Sequence, residues 1–61
     1  MIAQVGNRVL HQNLQKWFEI KAVCSRNGST EYAVDRTVFR DGQKVKVLFW
    51  IPANDVSKVA A

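Results

Sequence analysis

Sixty-one residues leave room for a single domain, 1–61, and no second one, and a chain this short buries only about 60% of the surface that its unfolded form exposes. A hydrophobic fraction of 48% and a charged fraction of 23% exclude a disordered chain, and no apolar run nears the ~20 residues that cross a bilayer. Nine Lys and Arg against five Asp and Glu give a net charge of +4, which favours anionic partners, nucleic acid first, although roughly 2 to 8 charges are also ordinary for a small soluble domain.

The N-terminal stretch Met1-Ile2-Ala3-Gln4-Val5-Gly6-Asn7 has neither the basic start nor the long apolar segment of a signal peptide, so the cytoplasm is the expected compartment. Residues 3–16 read in two ways. Val5, Val9, Leu10, Leu14 and Trp17 spread over about half of a helical wheel, which suits an amphipathic helix. Gly6 and Asn7 are poor helix residues, and the other reading is a strand near Arg8 to Gln12 followed by a loop through Lys16.

From Trp17 onward the period is two. Phe18, Ile20, Ala22 and Cys24 share one face of a strand, and Trp17, Glu19, Lys21, Val23 and Ser25 share the other. Asn27-Gly28 and Asp41-Gly42 then separate runs rich in β-branched and aromatic residues, the short-range signature of hairpins. A three-stranded antiparallel meander is predicted at roughly 17–25, 30–39 and 44–51. Parity fixes its turns, because a slip of one residue moves every side chain to the other face. A two-residue Asp41-Gly42 loop opposes Val38 to Val45, Val34 to Phe49 and Tyr32 to Ile51. A two-residue Asn27-Gly28 loop would oppose Ile20 to Asp35 and Cys24 to Glu31, so a longer, odd-numbered first turn is predicted, with Ile20 opposite Val34. After Pro52, Ala53-Asn54-Asp55 suits one 3₁₀ turn before a short last strand, Val56 to Val59.

This order of elements resembles an SH3-like five-stranded barrel. Gly6-Asn7-Arg8-Val9 looks like the Gly-Asp-x-Val start of small SH3-like domains, and Ile51-Pro52-Ala53-Asn54-Asp55-Val56 is similar to the Pro-Ser-Asn-Tyr-Val segment that ends true SH3 domains. Glu31-Tyr32-Ala33-Val34 and the Ile-Pro-Ala stretch also fall where similar strings lie in the plasmid-encoded type II dihydrofolate reductases, tiny SH3-like barrels that work as tetramers. The resemblance implies an all-β barrel; the alternative is an N-terminal helix packed on a three-stranded antiparallel sheet. It does not carry activity across. Val47-Leu48-Phe49-Trp50 stands where those reductases have Val-Gln-Ile-Tyr, and no Ala-Leu-Tyr-Asp-Tyr string marks a groove for proline-rich peptides.

Chemistry within one chain has little to work with. His11 is the single histidine and has no neighbour at ligand spacing, so it reads as a surface or edge polar residue. Cys24, the single cysteine, can form neither an internal disulfide nor a cysteine-rich zinc site, and reads as a small buried apolar side chain. No phosphate-cradling glycine loop or nucleophile elbow is present. Neither an enzyme nor a cofactor or metal is expected. A small fold without such staples relies on its core or on a second subunit, which favours self-association.

The meander's outer face is the more informative feature. Trp17, Val23, Phe39, Leu48 and Trp50 project there, more apolar than a solvated face, so a cover is predicted. Lys44, Lys46, Leu48 and Trp50 alternate on one strand, and segment 36–46 holds Arg36, Arg40, Lys44 and Lys46 against one carboxylate. Rings among cations suit single-stranded nucleic acid, with bases stacking and phosphates paired, and a β-ribbon with basic arms also fits a duplex groove. The candidate contacts are Trp17, Arg36, Arg40, Lys44, Lys46 and Trp50, in a small basic binding module that contacts nucleic acid as an accessory or regulatory factor of the kind phages and mobile elements carry. The alternative uses the same tryptophans as anchors for a protein partner, as an inhibitor or a homo-oligomer. A weaker one is a minimal oligomeric enzyme like the reductases.

Overall fold

Both glycine turns close as two-residue loops. Asn27 and Gly28 have φ of 52° and 79°, and Asp41 and Gly42 of 51° and 76°, the left-handed pair that a type I′ hairpin requires. In this computed structural model, which describes residues 3–61, they join a meander of β2 (Lys16–Arg26), β3 (Ser29–Arg40) and β4 (Gln43–Pro52). A short β1 (Arg8–His11) precedes it, and a 3₁₀ turn at Ala53–Asp55 leads into β5 (Val56–Ala60). Met1 and Ile2, part of the stretch without signal-peptide character, lie outside the described residues. Every pairing is antiparallel and the strand order is β4-β3-β2-β1-β5. The all-β meander and the 3₁₀ turn are those expected from the sequence. β4 and β5 remain at opposite ends of the order with no ladder between them, so the sheet is open.

The second hairpin has the expected register: Val38 opposes Val45, Val34 opposes Phe49 and Tyr32 opposes Ile51. The first hairpin corrects the expectation of a longer turn. Its tight loop opposes Arg26 to Ser29 and Cys24 to Glu31, yet Ile20 still meets Val34. A bulge between Ile20 and Ala22 reconciles the two, with Lys21 as the extra residue. A bulge restores parity as well as an odd loop does, and it also bends the strand. It changes the face assignment. Beyond Lys21, Val23 shares the face of Tyr32, while Ala22 and Cys24 share that of Ala33 and Glu31, so Cys24 is half-buried off the core face. Lys21 turns outward, and its Nζ donates to Glu19 Oε2 at 3.1 Å.

The helix considered for 3–16 does not form. Left-handed backbone at Gly6 (φ 93°) and Gln15 (φ 54°) interrupts it at both ends. The Gly6 amide donates to the Ile20 carbonyl at 3.1 Å, and the Ile20 amide donates to the Asn7 carbonyl at 2.9 Å. Asn7 also caps its own turn, its Oδ1 accepting from the Gln4 amide at 2.9 Å. The segment is thereby pinned to β2 and delivers Arg8 into a ladder with Glu19. No helix of the described residues is long and apolar enough to cross a membrane.

The core is small. Ala3, Val9, Ile20, Tyr32, Val34 and Ile51 form it, with Phe18, Phe49, Ala53 and Val56 packed around them. The Tyr32 hydroxyl accepts the Ala3 amide at 3.3 Å, which satisfies both polar groups inside the cluster. Each fully buried aliphatic side chain there contributes about 2 kcal/mol of transfer free energy. Among the described residues no cover forms over the outer face: Trp17, Phe39, Leu48 and Trp50 all stay exposed.

Ladder boundaries decide the outline. β1 pairs with β2 from Lys16 to Glu19, and β3 pairs with β2 from Ile20 to Arg26. β2 therefore passes from one ladder to the other at the bulge. Its pairing with β3 stops at Val34, so Asp35 to Leu48 form a ribbon of only two strands. The radius of gyration is 12.0 Å, above the about 10.5 Å of a compact chain this long. The long axis measures 39 Å against 22 and 20 Å for the others.

Candidate nucleic-acid interface

Along this stretch the ribbon has no third strand at either edge, and its side chains alternate between its two faces. In the β3–β4 ribbon, Phe39 opposes Lys44, Thr37 opposes Lys46 and Asp35 opposes Leu48 on one face. Arg40 opposes Gln43, Val38 opposes Val45 and Arg36 opposes Val47 on the other. The expected site residues of the ribbon are thus divided. Lys44 and Lys46 share a face with Trp50, which lies further down β4 opposite Ala33. Arg36 and Arg40 project from the reverse side.

Trp17 is placed apart from this group. It opposes Leu10 in the β1–β2 ladder, and the Arg8 guanidinium sits over its ring at 5.7 Å. Trp17 and Trp50 therefore do not form one stacking platform, because their strands belong to different ladders with β3 between them. Trp50 is 43% exposed and Trp17 46%.

The electrostatics of the ribbon are unbalanced. Lys21–Glu19 is the one ion pair among the described residues. Arg36, Arg40, Lys44 and Lys46 have no carboxylate within pairing distance, and all four are exposed. Asp35 and Asp41 are the ribbon's own acids, and neither pairs with them. Arg36 instead lies over the Phe49 ring at 5.4 Å, which leaves its N–H edge for an outside acceptor. Phe39 is an exposed ring of the ribbon that the sequence reading did not select as a candidate. It is 71% exposed, beside Lys44 next to the turn. The signal for it is register: Phe39 shares a face with Lys44 and lies beyond the last β3 residue that β2 pairs.

His11 departs from the surface role expected of it. It is buried at the end of β1, its ring centroid 6.3 Å from that of Phe49, which in turn lies 6.2 Å from Phe18. Its Nδ1 accepts the amides of Asn13 and Leu14, each at 3.2 Å, so Nε2 is the nitrogen that carries the proton. The His11 carbonyl accepts the Gln15 amide at 2.8 Å, and the Gln12 amide reaches the Asp55 carbonyl at the same distance. His11 thus folds the 12–15 loop and ties it to the 3₁₀ turn. His11→Ala removes the acceptor of two amides and opens a void beside Phe49, at an expected cost of about 2–3 kcal/mol. His11→Asn, whose Oδ1 takes up about the position of Nδ1, recovers part of that loss; urea midpoints of the two variants and the parent measure it. Cys24 lies at the far end of β2, opposite Glu31, and has no part in a Cys–His pair with His11. No group of three or more His, Cys, Asp or Glu side chains converges among the described residues.

No family model, curated protein or solved structure matches this chain. The functional reading therefore rests on the ribbon's own geometry.

Proposed function

We propose that this chain is a small basic binding module that contacts nucleic acid through the β3–β4 ribbon, as an accessory or regulatory factor. One observation carries the reading: four exposed cations without acid partners stand on a ribbon that no other strand flanks. Cations held close together repel one another, and the arrangement gains most when phosphates come between them. Exposed Phe39 and Trp50 add flat apolar surface beside Lys44 and Lys46. The strand order, the tight hairpins and the 3₁₀ turn support an SH3-like barrel as the fold, with the β2 bulge as the bend from which closure would develop.

The test is a titration followed by the fluorescence of Trp17 and Trp50, with short DNA and RNA in single- and double-stranded form. Four phosphate contacts predict an affinity that falls about 150-fold as salt rises from 50 to 200 mM. Absence of any signal at low salt overturns the reading. A protein or self-contact through Phe39, Leu48 and Trp50 is the second reading, favoured by their shared face and high exposure. It predicts association that salt leaves almost unchanged, measured by sedimentation of the protein alone and with a captured partner.

A further inference from the structure

We infer that the ligand of the β3–β4 ribbon is duplex DNA, with the ribbon inserted into the major groove and phosphates met on both of its faces. The inference rests on the nucleic-acid reading and narrows it to one form of the polymer. A single strand running over a stacking platform needs rings and cations on one surface. Here Arg36 and Arg40 occupy one face of the ribbon and Lys44 and Lys46 the other. Trp17, the second ring such a platform would use, stands in another ladder under Arg8. A single strand lying on either face leaves two of the four cations unused.

A groove uses all four, because its two walls carry phosphates on opposite sides of whatever lies between them. The dimensions agree. Six residue pairs, Asp35–Leu48 to Arg40–Gln43, make up the ribbon, which gives a length of about 17 Å at 3.4 Å per residue. Its thickness with side chains is about 10 Å, against a B-form major groove about 12 Å wide and a minor groove about 6 Å wide. Phe39 lies next to the tip on the face of Lys44 and Lys46, so its ring enters the groove on the side of the two lysines. The A-form major groove of duplex RNA is too deep and narrow to admit such an arm.

Fluorescence anisotropy with a labelled 16-mer as DNA duplex, DNA single strand and RNA duplex tests this at several salt concentrations. The DNA duplex is expected to bind about tenfold tighter than either competitor. Its log–log salt slope is expected near −3.6, about −0.9 for each phosphate contact. R36Q/R40Q and K44Q/K46Q should each lower the magnitude of that slope by about 1.8, with far-UV circular dichroism confirming the fold of both. R40Q alone, which spares the Arg36 stack on Phe49, should lower it by about 0.9 and guards against a packing effect of the first pair. Equal binding of single strand and duplex, lost only in K44Q/K46Q, overturns the groove inference and leaves nucleic-acid binding standing. Binding of none of the three overturns both.

Discussion

Ile20→Ala is expected to leave a protein that is largely unfolded or close to it. Ile20 is fully buried at the centre of the core, and truncating such a side chain costs about 3–4 kcal/mol, transfer and cavity together. A domain of 61 residues has a total stability of only about 3–9 kcal/mol. The position is unusually exposed to loss because one residue joins three parts of the chain. Its backbone pairs with Val34, accepts the Gly6 amide and donates to Asn7, and the Lys21 bulge follows it directly. Loosening Ile20 therefore loosens the N-terminal turn, the β2–β3 ladder and the bend between the ladders together. Urea unfolding followed by circular dichroism should show a midpoint lowered by about 3 M, at a slope of about 1 kcal/mol per molar. Leu48→Ala, at a side chain 57% exposed, serves as the contrast and should change stability by less than about 0.5 kcal/mol. Equal midpoints for the two variants would mean that the core is elsewhere.

The strands and the 3₁₀ turn were legible because alternation and turn chemistry agree there. Val45, Val47, Phe49 and Ile51 alternate cleanly, and only one register of the Asp41-Gly42 loop matches them to Tyr32, Val34 and Val38. The first hairpin carried the same kind of information, but parity has two remedies. An added loop residue and a bulge both bring Ile20 opposite Val34, and period-two reasoning does not separate them. What separates them is that Asn27-Gly28 is itself a complete type I′ pair, so the correction moved into the strand at the exposed Lys21. The N-terminal helix failed for a similar reason: hydrophobic spacing over 3–16 is compatible with a helix, but Gly6 and Gln15 take left-handed backbone to form turns. Burial of His11 was hidden because its partners are backbone amides, which leave no trace in residue type. For the interface, composition revealed the basic segment. The division of its cations between two faces follows from the β3–β4 register and was legible there; that the basic segment stands free of β2 depends on where the β2–β3 ladder ends, a tertiary fact.

R40Q/K44Q/K46Q is expected to cut the salt dependence of nucleic-acid binding to about a quarter of its slope while leaving the fold intact. These three side chains are exposed and have no intramolecular ion pair to lose, whereas Arg36 is kept because its guanidinium packs over Phe49. The substitutions take the net charge from +4 to +1, six cations remaining against five carboxylates. With one phosphate contact left, raising salt from 50 to 200 mM should weaken binding about 3-fold, compared with about 150-fold for the parent. Thermal unfolding should be unchanged or slightly improved, because clustered like charges oppose the ribbon's own strand pairing. Removal of the apolar contacts separates the two terms. Phe39→Ala should weaken binding by a factor that is the same at every salt concentration, since a ring releases no counterions. A triple variant that retains the full salt slope would place the phosphate contacts on cations outside the ribbon, with Arg8, Lys16 and Lys58 at the β1–β5 end next to be tested.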